Sequence, residues 1–196
     1  MNELDISAIV LAGGRSRRFG RDKLVEPLAG RPLLEHAIAA VGPLAQETIV
    51  VTAPDEARDV PEGTILVRDP TSFEGPLVGL LTGLHRASRP VALVVGGDMP
   101  TMVPSVLWAV IARLEDPTVD AVVLEDGGER RPLPAAVRTA PAIAAAERLV
   151  AGGERRLQAL FEALATAAID EATWRALDPD GRTLLDVDTP ADLPQL

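Results

Sequence analysis

Two adjacent glycines followed by a run of cations are residues suited to holding phosphate. In this chain of 196 residues, Gly13 and Gly14 open a stretch that carries Arg15, Arg17, Arg18, Arg21 and Lys23 against the single acid Asp22. Without a Cβ, a glycine lets backbone N–H groups point directly at phosphate oxygens, and arginine and lysine add the counter-charge. The chain as a whole has a net charge of −10, so this local excess of cations is not a compositional accident and calls for an anionic partner. Two familiar phosphate loops fail on counting. The residues five after Gly13 and Gly14 are Arg18 and Phe19, which breaks GxxxxGK[ST], and Arg15 stands where GxGxxG needs its second glycine.

Three aspartates are the other candidates for chemistry. Asp98 follows the apolar run VALVV and two glycines, which puts a carboxylate where a divalent cation would sit at the end of a central strand, or where it caps the helix starting near Pro104. Asp69 closes TILVRD. Asp188 follows TLL closely; it supplies a second carboxylate to the same cation or caps the turn beginning at Thr189 and Pro190. His36 and His85 lie in helical patterns and are given no chemistry.

The elements that must position these residues follow an alternating pattern. Ile6 to Leu11 is a short buried strand stopping at the glycines, and Leu33, Leu34, Ala37, Ile38 and Val41 repeat at helical spacing behind Pro32. TIVVT and TILVRD read as the second and third parallel strands, and VALVV as a fourth, with a helix opened by Gly75 and Pro76 between them. Strand, helix, strand is the right-handed unit of an α/β sheet, whose ligands bind beyond the carboxyl ends of the strands. Gly79 and Gly83 lie four apart in that second helix and imply close packing or ligand contact. Then come a helix from Pro104, a strand from Val119, and ERRPLPAAVRT, whose two prolines suggest an edge or antiparallel strand. Two further helices separated by Gly152 and Gly153, a short ATAAID strand and a strand-like TLL near the terminus complete the reading. Trp108 is expected in the core.

The glycine stretch resembles LAGGxSxRxGxDK, the signature of the MobA-like NTP transferase family, whose members resemble molybdenum cofactor guanylyltransferase. Leu11, Ala12, Gly13, Gly14, Ser16, Arg18, Gly20, Asp22 and Lys23 stand in register with it. DxxxxxGPLxGLxxGL, GDMP and a P-L-x-A-x-x-R segment are similar to further family segments. The resemblance implies a three-layer, Rossmann-like α/β fold with a mostly parallel sheet in one domain over 1–196. Residues 1–118 would form its nucleotide-binding part and 119–196 its acceptor-facing part. It implies that Arg18, Lys23 and Asp98 are catalytic, that Leu11, Ala12, Gly13, Gly14, Ser16, Lys23, Asp69, Gly75 and Asp98 bind the nucleotide, and that Asp98 holds Mg²⁺. Asp188 is the second candidate ligand, at a place where this chain departs from the family: the N-x-N-T-P ending reads Asp186-Val187-Asp188-Thr189-Pro190. Arg131, Arg138, Arg155 and Arg156 are candidates for the acceptor's phosphate, a solvated surface being the alternative.

The implied activity is transfer of GMP from GTP to the terminal phosphate of molybdopterin cofactor with release of pyrophosphate. The alternatives are a CTP-dependent transferase for the same cofactor, one acting on another phosphorylated metabolite, a noncatalytic nucleotide-binding module and a structural partner of a molybdoenzyme. Transient contact with cofactor-delivering proteins or molybdoenzymes is an expected partnership. Composition excludes other classes: zero cysteines rule out disulfides and thiolate chemistry, and a pI near 4.7 opposes binding to nucleic acid or anionic membranes. No stretch has the 18 or so uncharged apolar residues of a membrane span. The start MNELDIS lacks a basic, apolar leader, so the expected location is cytoplasmic.

Overall fold

The computed structural model describes residues 5–13, 19–54, 58–69 and 75–194. In chain order it contains β1 (Ile6–Leu11), the two-residue strands β2 (Pro27–Leu28) and β3 (Arg31–Pro32), α1 (Leu33–Val41), β4 (Glu47–Thr52), β5 (Thr64–Arg68), α2 (Pro76–Arg86) and β6 (Val91–Gly96). These are followed by α3 (Pro104–Ala112), β7 (Ala121–Asp126), β8 (Glu129–Arg138), α4 (Thr139–Ala151), α5 (Leu157–Ala163), β9 (Thr166–Ile169) and α6 (Glu171–Arg175).

Seven strands form one mixed sheet in the order β5-β4-β1-β6-β8-β7-β9. β5, β4, β1 and β6 are mutually parallel, β8 runs against both of its neighbours, and β7 and β9 pair in parallel. β8 alone is reversed. The period of two along each strand divides the core between the faces. Ala8 and Val10 of β1 and Leu93 and Val95 of β6 pack with Leu34 and Ile38 of α1 and Val106 and Val110 of α3. On the other face, Ile9, Val51 and Val94 pack with Leu77 and Leu80 of α2, Ala142 of α4 and Leu160 of α5. β1 and β6 are buried on both faces, which is why their sequences are continuously apolar rather than alternating. Gly83 is explained by this packing: a Cβ there would come within 2.7 Å of Ile9 and 3.0 Å of Val51.

Three sequence expectations are corrected. Of the two readings of the proline-bearing strand, antiparallel holds and edge does not: β8 runs against both neighbours and lies inside the sheet, between β6 and β7. Its register jumps from Val123 opposite Ala135 to Leu124 opposite Arg131, so Pro132 and Pro134 fall in a bulge where no ladder N–H is required of them. Residues 182–184 form a short 3₁₀ turn, entered through Gly181 in the left-handed region, instead of a strand. The third concerns Trp108, which is not in the core. Trp108 is 39% exposed on α3, whereas Trp174 is fully buried, donates its indole N–H to the Glu125 carbonyl at 2.8 Å and packs under the Arg175 guanidinium.

Candidate active site

The carboxyl ends of the parallel strands gather most of the expected residues. β1 runs through Leu11 into Ala12 and Gly13, tied to its neighbours by hydrogen bonds from Ala12 N–H to the Val51 carbonyl at 2.8 Å and from Gly97 N–H to the Leu11 carbonyl at 2.9 Å. A Cβ on Gly13 would meet nothing closer than 3.6 Å, so internal packing does not demand glycine there and the exposed backbone is left for a ligand to approach. Gly14, Ser16 and Arg18 lie outside the described residues. Asp69 follows β5, is 8% exposed, and anchors its N–H on the Thr52 carbonyl at 2.9 Å. Gly79 of α2 faces it, since a Cβ there would sit 3.7 Å from Asp69 Oδ2.

Gly75 opens α2 with φ +105°, a conformation that disfavours side chains. Any Cβ would also come within 2.8 Å of the Arg155 Cβ and 3.0 Å of its carbonyl oxygen. That carbonyl accepts the Leu77 N–H of the first turn of α2 at 3.1 Å. The nucleotide-side helix and the segment after α4 thus meet at a glycine.

Lys23 is the centre of the arrangement. It begins a 3₁₀ turn, Lys23–Val25, capped by the Asp22 side chain, and its Nζ lies 2.7 Å from Asp98 Oδ2 and 3.0 Å from Asp188 Oδ1. Burial works against the ammonium, but the Asp98 and Asp188 carboxylates outweigh it and hold its pKa above the ordinary lysine value. The terminal segment reaches this place by main-chain pinning, because Val187 N–H donates to the Asp98 carbonyl at 3.0 Å and its side chain is buried with Phe19, Leu28 and Leu33. Alternation about the anchored Val187 leaves Asp186 and Asp188 flanking Asp98. The capping alternative for Asp188 belongs elsewhere: Thr189 is the N-cap of the Pro190–Asp192 turn and forms a capping box with Asp192.

Asp186 was missed as a site residue. Burial, and then the repulsion of Asp98, push its carboxyl up to about 6, with Asp188 adding to the rise and Arg131 and Lys23 opposing it, although more than a third of the residue's surface is open to solvent. The signal in the sequence was the i, i+2 pair of acids about an apolar residue. Thr52, which with Ala53 and Pro54 and with Asp69 is where the sequence places discrimination of the base, has its hydroxyl buried at the end of β4 with no hydrogen-bond partner among the described residues.

The acceptor candidates separate. β8 is antiparallel, so its first residues, including Arg131, lie at the site edge of the sheet and its last, Arg138, at the opposite edge. Arg138 donates to the carbonyls of Leu114, Asp116 and Val119 at 2.7–3.2 Å, a structural role that replaces its expected acceptor contact. Arg155 donates to the Val150 and Glu154 carbonyls at 3.0 and 2.8 Å. Arg156 is exposed and paired with Glu154 at 2.7 Å; the side-chain and backbone hydrogen bonds of Arg156, with the Arg155 N–H, hold Glu154 down to about 2.

A mostly parallel sheet with Gly13 at its carboxyl edge, and with a lysine between two aspartates at that same edge, is the arrangement of a nucleotidyltransferase. The sequence matches the MobA-like NTP transferase domain over residues 8–172, and the chain belongs to that family. It is 39% identical to a probable molybdenum cofactor guanylyltransferase of Chloroflexus aggregans, the alignment covering 96% of this chain and 91% of the relative. Among solved structures it is similar to molybdopterin-guanine dinucleotide biosynthesis protein A of Archaeoglobus fulgidus, with TM-score 0.80, 25% identity and coverage of 95% and 94% of the two chains. Its fold is also that of 2-C-methyl-D-erythritol 4-phosphate cytidylyltransferase of Thermus thermophilus, with TM-score 0.69, 18% identity and coverage of 94% of each chain. No helix among the described residues is long and apolar enough to cross a membrane.

Proposed function

We propose that this chain transfers GMP from GTP to the terminal phosphate of molybdopterin cofactor and releases pyrophosphate. The observation that carries the reading is the meeting of Lys23, Asp98 and Asp188 beside the Gly13 loop, in a chain 39% identical to a guanylyltransferase over nearly its whole length. The acceptor phosphate is already an anion and needs little help from a general base. Catalysis then consists of alignment and of stabilising charge on the phosphoryl oxygens.

Backbone N–H groups at Gly13 and Gly14, with Ser16, cradle the triphosphate; Leu11 and Ala12, whose backbone is tied to the neighbouring strands, bring the chain to the nucleotide, and Arg18 and Lys23 supply positive charge. Asp69 and the start of α2 at Gly75 receive the nucleoside. Arg131, at the site edge of β8, faces the acceptor together with the exposed Arg156; Arg155 shapes that side through its backbone.

The residues present fit Mg²⁺. Asp98 and Asp188 both reach one ammonium, so their oxygens converge on a space a cation can share, and among the described residues no group of three or more acidic or histidine side chains is placed to hold a metal. Two carboxylates completed by phosphate oxygens and water is a common Mg²⁺ arrangement. Bound there, Mg²⁺ would neutralise phosphate charge. The nucleotide-binding part lies in residues 1–118 and the acceptor-facing part in 119–196 of a single domain, acting in the cytoplasm and in transient contact with proteins that deliver or receive the cofactor.

The test is pyrophosphate release with GTP, CTP and ATP, each with molybdopterin cofactor supplied. Release with GTP is expected. Release with CTP alone would move the chain to the cytidylyl activity, and none with any triphosphate would leave a binding module.

A further inference from the structure

The segment between β4 and β5 carries a cation that the chemistry above does not use. The Arg58 side chain is 4% exposed; its Nη2 donates to Asp22 Oδ1 at 3.3 Å, and its Nη1 forms an ion pair with Asp22 Oδ2 at 2.9 Å that is out of hydrogen-bond alignment. Asp22 Oδ1 is the same atom that accepts the Leu24 N–H at 3.1 Å as cap of the Lys23–Val25 turn. Asp22 immediately precedes Lys23. One guanidinium, 36 residues away in sequence, therefore clamps the carboxylate that fixes where the lysine turn begins.

The turn has a second clamp of a different kind. Arg21 Nη2 donates to Glu26 Oε2 at 2.7 Å, and the Glu26 N–H closes onto the Lys23 carbonyl at 3.1 Å, so this brace is internal to the turn and moves with it. The Arg58 contact instead ties the Asp22 cap to the segment between β4 and β5. Burying an arginine side chain is costly, and an apolar residue would fill the same space without that cost. A charge kept there is understood if what it holds must stay in register. Lys23 needs such register because its ammonium meets two carboxylates at once.

We propose that Arg58 is a positioning residue for phosphoryl transfer, acting through Asp22 to hold Lys23 on the triphosphate and the carboxylate pair. The inference rests on the reading of Lys23 as a phosphate contact. Arg58 itself touches no reacting atom.

The experiment measures Mg²⁺–GTP binding by calorimetry, and KM and kcat for GTP, in the parent and in Arg58→Ala, Arg58→Lys, Lys23→Ala and the double variant Arg58→Ala/Lys23→Ala. Loss of a charge-assisted contact that acts indirectly should weaken GTP binding about tenfold in Arg58→Ala. Arg58→Lys should recover only part of this, since an ammonium cannot span both carboxylate oxygens. In the Lys23→Ala background, Arg58→Ala should cost nothing further, because the two act as one unit. A purely structural arginine would lower the melting temperature and leave KM and kcat of the folded protein at parent values, and that result overturns the proposal. So do effects of Arg58→Ala and Lys23→Ala that multiply. Should Arg58→Ala fail to fold, Arg58→Lys decides, parent-like kinetics counting against the proposal. A parent that binds no GTP would overturn the phosphate reading and this inference together, a result distinct from equal binding by parent and Arg58→Ala.

Discussion

The ammonium of Lys23 lies 2.7 Å from the Asp98 carboxylate and 3.0 Å from that of Asp188, so one cation is shared by two acids and a net negative charge remains among the three groups. On the function proposed above, Lys23 and a divalent metal would compete for one pair of carboxylates until a triphosphate gives the lysine another partner. Lys23→Ala should lower turnover by about 10²–10³, the cost of removing one preorganised charge-stabilising contact. It should also tighten Mn²⁺ binding to the nucleotide-free protein, because two unneutralised carboxylates remain. Calorimetry without nucleotide checks the second outcome. Unchanged Mn²⁺ affinity would mean that Lys23 and the metal do not share these groups.

Asp188→Asn separates the role of this acid from that of Asp98. The Pro190–Asp192 turn is capped by Thr189 and Asp192, so an amide at position 188 should leave thermal stability within about 0.5 kcal/mol of the parent. An asparagine offers one neutral oxygen in place of a carboxylate. The Mg²⁺ concentration for half-maximal activity should rise about tenfold, and Asp98→Asn should abolish turnover, by analogy with the loss of a ligand's charge at an Mg²⁺ site. A metal titration identical to the parent's would leave Asp98 as the sole carboxylate ligand.

How much of this was legible depends on whether the signal was local. β1, β4 and β6 announced themselves because burial on both faces requires continuous β-branched and apolar runs, and the turn at Gly13 followed from residue type alone. The interior position of β8 was not legible. Proline argues for an edge by local chemistry, and only the register jump after Val123 shows that the ladder skips the prolines. The exposure of Trp108 was not legible for a related reason: helical periodicity in α3 does not say which side of its apolar surface is covered, and the tryptophan that is buried, Trp174, is held by an indole bond to Glu125, 49 residues away. Arg138 sits nine residues past Glu129 in one antiparallel strand, and strand direction, invisible in composition, carries it to the wrong edge for chemistry. The sequence leaves open whether Asp98 and Asp188 converge, and offers two strand-like runs as the way they could. The convergence is produced instead by one hydrogen bond from Val187 to Asp98.

A pH-dependent stability term is expected at the edge opposite the site. Glu47 Oε1 accepts from Ser7 Oγ at 2.6 Å, from Ser88 N–H at 2.7 Å and from Ser88 Oγ at 2.9 Å, joining the starts of β1 and β4 to the turn before β6. Burial raises its pKa, but the hydrogen bonds from Ser7 and Ser88 outweigh burial and the net shift is downward from 4.5. A carboxylate with a lowered folded pKa contributes stability that is fully present above the unfolded value and is lost as pH falls through the folded one. Glu47→Gln should therefore be less stable than the parent at pH 7, and the difference should shrink below about pH 4.5. Urea unfolding at a series of pH values measures it. A gap that stays constant with pH would assign the loss to packing rather than to charge.

The choice of base is the most specific outcome the geometry offers. Asp69 is 8% exposed, its backbone is fixed on Thr52 at the end of β4, and Gly79 presents no side chain to its carboxylate. On the reading proposed above, a base entering beside α2 would meet a carboxylate, which can only accept hydrogen bonds. Guanine carries donors at N1 and at its 2-amino group on one edge and can give both to a carboxylate, whereas adenine presents a lone pair at N1 and would be repelled. A site built on a hydrogen-bond partner of this kind rejects the wrong ligand by leaving its own group unpaired, which is worth roughly 10²-fold or more. GTP should therefore compete out bound nucleotide at concentrations about a hundredfold below those of ATP. Asp69→Asn keeps the shape, but its single carbonyl accepts from only part of the guanine edge and its amide can donate to adenine N1. The preference should fall to within about tenfold, with ATP binding improved in absolute terms. Competition assays on the parent and Asp69→Asn read this directly. Equal competition by ATP and GTP in the parent, or an unaltered ratio in Asp69→Asn, would remove Asp69 from base recognition and turn attention to the buried Thr52 hydroxyl.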